Sequence, residues 1–485
     1  MKFVFLDAGF EKGPVVDGAW RTASVLILWS SIGGRLLIGG LALVAATYKL
    51  WWPFNRVSFL VRSILKVSPN RLSTLSRQFA AIDLPNIEQA LRELGPGGRR
   101  FGIAAAAFMP SFVTEDLGTL LTGRRQITAL RTESIQIGVG KSLACMVNGI
   151  AFIRKPVPGI VYVRRQEMFD RLEVQVAAPG PGDAEKLMEA IEHACTGKSV
   201  YKGSIISIER QRLANRQQTC LSLQFHAPPR LTEKDIILPE VTLRLIERNT
   251  VGFFQTLDAM RATGRSVKRG LLLYGRPGTG KTMTAKWISS AVPGLTTLFL
   301  SAEQLFLIKD CCQMARMLAP SMVVLEDVDL IARDRAKNED IEGRITLNQL
   351  LNEMDGIAEN AGVLFLLTSN RPDELELALA ARPGRIDQAI EYPLPDPPCR
   401  RRLFERFLAG LEVEDLDIDD LVARTDGAPP AFIQELVRKA LAASLLEGET
   451  KLRQAHFQEA LRELLFSGGS LTRRLLGFSE TLLDD

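Results

Sequence analysis

The run Gly275-Arg276-Pro277-Gly278-Thr279-Gly280-Lys281-Thr282 has the spacing G-x-x-x-x-G-K-T, a pattern able to cradle a polyphosphate. Its glycines let the backbone wrap an anion with the N–H groups turned inward. The Lys281 ammonium can reach β- and γ-phosphates, and the Thr282 hydroxyl can ligate Mg²⁺. Three further groups follow in order. Glu326-Asp327-Val328-Asp329 offers carboxylates, one to hold Mg²⁺ and another to orient an attacking water. Asn370 offers an amide for a γ-phosphate or that water. Arg382 and Arg385 flank a Pro-Gly turn, from which a guanidinium can cross a subunit interface to meet phosphoryl-transfer charge.

Elements that position these groups are legible around them. Leu271–Tyr274 reads as a buried strand, and the residues after Thr282 have a helical pattern. The N-terminus of that helix would add partial positive charge beside the loop. Ser321–Leu325 and Gly362–Thr368 are apolar runs typical of buried parallel strands. Carboxylates at the C-terminal end of such a strand sit where ligands bind in open α/β sheets.

At 485 residues, two or three domains are expected. Apolar residues make up 46% and charged residues 24%, a globular balance, and the net charge of +4 gives no whole-chain case for nucleic acid. The six cysteines (145, 195, 220, 311, 312 and 399) form no C-x-x-C pair and read as reduced thiols of a cytosolic compartment. The three histidines, His193, His226 and His456, make no H-E-x-x-H, which disfavours a fused zinc protease.

The N-terminal region, 1–54, has a different texture. Ser24–Tyr48 is long and apolar enough to span a bilayer, with Trp20 and the Trp51-Trp52 pair at its flanks. Arg35 lies mid-span, at a cost of roughly 2.5–3.5 kcal/mol. Two readings stay open: a membrane helix over 24–48, or a buried hairpin broken at Gly33-Gly34. For the membrane helix, Lys49, Arg56, Arg62, Lys66 and Arg71 put the rest of the chain on the cytoplasmic side, anchored in the inner membrane. Residues 55–138 read as mainly helical, and 139–230 as a small α+β domain without a catalytic constellation. Pro228-Pro229 marks a boundary before a core over 231–396, a helical region over 397–466 and a tail over 467–485.

From 231 to 465 the chain resembles the AAA family of ATPases. The likeness is carried by LLLYGRPGTGKT, VVLEDVD, LLNEMDG, LTSNRPDELE and ARPGRID in that order. The resemblance implies a P-loop α/β core, a parallel sheet sandwiched by helices, followed by a helical lid. It makes Gly275, Pro277, Gly278, Thr279, Gly280, Lys281 and Thr282 the Walker A loop, which binds ATP. Glu326 and Asp327 then occupy Walker B, with Glu326 and Thr282 at Mg²⁺. Asn370 matches sensor 1, Arg382 and Arg385 the arginine fingers, and Ala431 falls near sensor 2.

Two departures stand out. Most relatives have Asp then Glu where this chain has Glu326 then Asp327. The Ser301–Pro320 stretch is too short for the aromatic-glycine pore loop of FtsH-type unfoldases. Both features are similar to the Bcs-type branch, which includes the mitochondrial Rieske-protein translocating chaperones. The expected function is therefore an ATP-hydrolysing homo-oligomer, a hexameric or heptameric ring that remodels or translocates a protein client. Two alternatives are a nucleic-acid-associated loader or replication accessory, for which Arg124-Arg125 and Arg164-Arg165 offer small basic patches, and a nucleotide-gated scaffold with slow turnover.

Overall fold

The computed structural model describes residues 57–103, 116–122, 127–166, 171–212, 219–330, 349–350, 352–356, 358, 361–371 and 386–464. The 24–48 segment, Arg124-Arg125, Arg382, Arg385 and the 467–485 tail lie outside these residues. Among the described residues no helix is long and apolar enough to cross a membrane. The chain forms two compact units that divide between Val200 and Tyr201, apart from the hairpin tip at 137–141.

The first unit contains α1 (Val57–Leu65), β1 (Ser73–Ala80), α2 (Leu84–Leu94), β2 (Arg100–Ile103), α3 (Leu117–Thr122) and β3 (Ile127–Thr128). A two-stranded hairpin, β4 (Thr132–Gly138) with β5 (Lys141–Met146), follows. It continues through β6 (Gly149–Ile153), β7 (Gly159–Gln166), β8 (Arg171–Ala178) and α4 (Pro181–Gly197). The main sheet is antiparallel with strand order β1-β8-β7-β6-β2-β3. Alternation along its central strands separates two cores. Val161, Val163, Leu172, Val174 and Val176 pack with α2 and α4, whereas Ile160, Tyr162 and Ala177 pack with α1 and α3.

This corrects the expectation that 55–138 is mainly helical. β1, β2 and β3 lie within it and complete a sheet whose other strands come from 149–178. The edge strand β1, STLSRQFA, has Leu75 and Phe79 as its only partly buried apolar residues, so it lacks the apolar run that marks a strand.

The second unit opens with a hairpin, β9 (Ile205–Arg212) and β10 (Thr219–His226), followed by α5 (Glu240–Asn249) and α6 (Val251–Ala262). Then come β11 (Lys268–Gly275), α7 (Lys281–Ala291), β12 (Thr296–Ser301), α8 (Ile308–Met317), β13 (Ser321–Glu326), β14 (Val363–Ser369) and β15 (Gln388–Tyr392). These strands make a seven-stranded sheet of order β10-β9-β12-β13-β14-β11-β15, parallel except for β10. The hairpin expected to belong to the 139–230 domain is thus part of this sheet, because β9 pairs in parallel with β12. Leu271, Leu273, Met322, Val324, Leu364 and Leu366 pack on one face with α5, α6 and α7. The other face buries Leu272, Val323, Leu325, Phe365 and Leu367. Cys311 and Cys312 are both buried on α8, and burial raises both thiol pKa values.

Four helices complete the unit: α9 (Pro397–Leu408), α10 (Ile418–Arg424), α11 (Pro430–Leu446) and α12 (Gln454–Arg462). Their own core is built on Phe404, Leu421, Phe432, Leu436, Phe457 and Leu461. The buried Arg400 guanidinium laces it together, donating to the carbonyls of Val422 at 3.1 Å and Pro395 at 2.9 Å and pairing with Asp426 at 2.9 Å.

Candidate active site

β11 delivers the glycine-rich loop to the C-terminal edge of the sheet. Gly275 ends the strand opposite Tyr392, and a side chain at 275 would collide with the Tyr392 carbonyl. Gly278 has φ +77° and sits so close to the lid that an added Cβ would lie 2.8 Å from the Ala431 Cβ. Gly280, at φ +102°, is the N-cap of α7. Only glycine tolerates that run of conformations at low cost.

Within the loop, the Thr279 hydroxyl donates to the Arg276 carbonyl at 2.8 Å. The Lys281 ammonium donates to the carbonyls of Gly275 at 2.8 Å and Arg276 at 2.9 Å. Lys281 is buried, and burial lowers its pKa to about 8 despite the nearby negative charge of Asp327 and Asp329. Thr282 is exposed on the first turn of α7, and no side chain caps that turn. Its leading N–H groups have no intrahelical partner, and the helix dipole adds partial positive charge at that end. A buried cation, an uncapped helix N-terminus and an exposed hydroxyl together suit a polyphosphate with its Mg²⁺.

The carboxylates reach the same edge on β13, separated from β11 only by β14. Glu326 is the last residue of β13 and is half-buried. Asp327 has left-handed backbone, φ +50°. Its N–H donates to the Thr368 hydroxyl at 3.1 Å, and its carboxylate accepts from the Asn370 amide at 2.8 Å. The Val328 N–H donates to the Thr368 carbonyl at 3.0 Å. Asp329, 4% exposed, accepts the Asn370 N–H at 3.0 Å.

The structure therefore brings the loop, Glu326, Asp327 and Asn370 to one edge. Arg382 and Arg385 are outside the described residues. Ala431 meets the loop through its backbone: its N–H donates to the Gly278 carbonyl at 3.2 Å, at the start of α11. Sequence reasoning missed Thr368 and the support that Asp329 gives Asn370. Neither has a local signal, since both contacts depend on β13 and β14 lying side by side.

The family model described as "ATPase family associated with various cellular activities (AAA)" matches residues 271–394. The chain is 27% identical over 360 residues to the ATP-dependent zinc metalloprotease FtsH of Acidimicrobium ferrooxidans, covering 69% of this chain and 53% of that protein. It is 28% identical over 410 residues to FtsH 3 of Sorangium cellulosum, covering 78% of this chain and 66% of the relative. It is 33% identical over 225 residues to the 26S proteasome regulatory subunit 6B homolog of Encephalitozoon cuniculi, covering 44% and 58%. The chain thus spans about half to two thirds of the length of these relatives. The loop and the strand ends described above are the parts of one module: residues 271–394 are an AAA ATPase domain, carried on a sheet extended by the β9–β10 hairpin.

Proposed function

We propose that this chain hydrolyses ATP as a ring-forming AAA remodeller of a protein client, anchored to a membrane through residues 24–48. The observation that carries the reading is the convergence of the buried Lys281, the Asp327–Asn370 hydrogen bond and the exposed Thr282 on one edge of a parallel sheet. In this reading Gly275–Thr282 holds the triphosphate. Thr282 and Glu326 hold Mg²⁺, which neutralises charge on the phosphates. Asp327 orients a water against the γ-phosphorus and takes its proton as the bond to ADP breaks. Asn370 fixes the Asp327 carboxylate, and Arg382 and Arg385 act on the nucleotide of a neighbouring subunit. That arrangement needs a neighbouring subunit beside each nucleotide, which a closed ring supplies for every site.

The relatives bear on the load. The proteins matched by this chain include ATP-dependent proteases and a proteasome regulatory subunit, which points to a protein client. The placement nearest the Bcs-type branch rests on the Glu326-Asp327 order and on the short segment after β12. That segment, Ser301–Pro320, holds a 3-10 stretch, Ala302–Leu307, followed by α8; in the 3-10 stretch Leu305 and Leu307 are buried and Phe306 is exposed. Arg210 lies over the Phe306 ring, 5.0 Å from its centroid.

Two variants test the chemistry. Lys281→Ala should abolish nucleotide binding. Asp327→Asn should bind ATP but lose about 100-fold or more in turnover, hold the assembled ring and copurify with its client. Unchanged turnover in Asp327→Asn would remove Asp327 from the base position. A rate stimulated by DNA, with salt-dependent affinity, would move the reading to a nucleic-acid loader.

A further inference from the structure

We infer that Thr368 is a positioning residue for the reaction, acting through Asp327; the inference rests on the reading of Asp327 as the base. Thr368 is 1% exposed on β14 and sits beside the end of β13. It makes two contacts to consecutive peptide groups. Its hydroxyl oxygen accepts the Asp327 N–H at 3.1 Å, and its carbonyl accepts the Val328 N–H at 3.0 Å. Between them these bonds fix the backbone on both sides of the Asp327 side chain, which is where the chain turns left-handed at φ +50°.

Left-handed backbone at a non-glycine residue is uncommon, and it persists only where the surroundings over-determine it. Asp enters this region more readily than most side chains, because its short carboxylate can hydrogen-bond locally and so offset the Cβ penalty. This gives the Glu326-Asp327 order a physical reason. A strand that continued straight past Glu326 would aim residue 327 by side-chain length alone, and Asp is one methylene short of Glu. Here the backbone itself turns, the Thr368 hydroxyl holds the turn, and the Asn370 amide fixes the carboxylate at 2.8 Å. Position 327 is thus aimed by its main chain. The Thr368 side chain touches neither phosphate nor water in this scheme, so its effect must pass through Asp327.

The test is steady-state ATPase kinetics on the full chain, with thermal unfolding as a check. Thr368→Val keeps the shape and removes the acceptor, leaving the Asp327 N–H without a partner. It should lower kcat at least tenfold with KM within about twofold. Thr368→Ser retains the oxygen and should restore kcat to within about twofold of the parent. In the Asp327→Asn background, Thr368→Val should change the residual rate by less than twofold, since a residue acting through another has nothing further to remove. Should the valine variant not fold, Thr368→Ala against Thr368→Ser isolates the hydroxyl, as both lack the methyl. The inference is overturned if Thr368→Val or Thr368→Ala turns over at the parental rate. It is equally overturned if kcat and nucleotide affinity fall in step with stability, or if the full loss recurs on Asp327→Asn. A parent that binds ATP without hydrolysing it would instead remove the functional reading itself.

Discussion

At the scale of the residue, Lys281 has an ammonium that the fold has partly withdrawn from water. Burial brings its pKa to about 8, against about 10.4 in an unfolded chain. Between those values the folded chain binds fewer protons than the unfolded one, so this group makes stability rise with pH across that window. Nucleotide has the opposite preference, because a polyphosphate needs the charged form and raises the pKa again. Binding should therefore take up roughly 0.5–1 proton per nucleotide at pH 8.5, and affinity should fall about tenfold per pH unit above 8. Calorimetry in two buffers of different ionisation enthalpy measures the uptake, and Lys281→Arg, always charged, should abolish it. Equal heats in both buffers would mean that Lys281 is already fully protonated. The loop's chemistry is legible because its groups are contiguous in sequence. Thr368 is not: nothing around it in LLTSN marks a hydroxyl that supports a carboxylate on another strand.

At the scale of the element, the segment before α5 ties the sheet to the lid. Ile236 and Leu238 enter the core of the sheet, while Ile237 between them enters the core of the lid. Thr232 and Asp235 form a capping box, and the Asp235 carboxylate also pairs with Arg406 on α9. Hydrogen bonding to Arg406, with help from the Thr232 N–H, holds the Asp235 pKa at about 2. A carboxylate whose pKa is depressed on folding contributes stability above its unfolded value of about 3.9, and that contribution disappears as pH falls through 2. Arg406→Ala should thus lower stability by about 1 kcal/mol at neutral pH, a melting shift of roughly 2–4 °C. The gap between variant and parent should close between pH 4 and 2; a gap that persists to pH 2 would assign the loss to packing of the Arg406 stem. The same scale separates what the sequence discloses from what it hides. β11, β13 and β14 are buried on both faces and read as unbroken apolar runs. β1 lies at a sheet edge, and its polar residues conceal it. The β9–β10 hairpin reads correctly as strands, but no local pattern shows which sheet it joins.

At the scale of the whole molecule, that membership decides where an autonomous ATPase unit must begin. Pro228-Pro229 suggests a start near 231, yet the second compact unit starts at Tyr201. Ile205, Ile206 and Ile208 of β9 are 6%, 0% and 0% exposed, and burial of such side chains is worth about 1.5–3 kcal/mol each. Removing the hairpin would take out roughly 4.5–9 kcal/mol of apolar burial, an upper figure for extended-chain references. It would also leave β12 as a bare parallel edge, since Thr297, Leu298 and Phe299 pair there with β9. An unprotected edge of that kind recruits other chains. A fragment spanning 201–464 should therefore unfold cooperatively and remain dispersed on sizing columns, whereas one spanning 231–464 should aggregate or melt well below it. Both fragments retain every residue of the candidate site within 271–394. If the shorter one matched the longer in melting temperature and nucleotide affinity, the hairpin would be an ornament on the sheet. The loss of both would make it part of the ATPase unit.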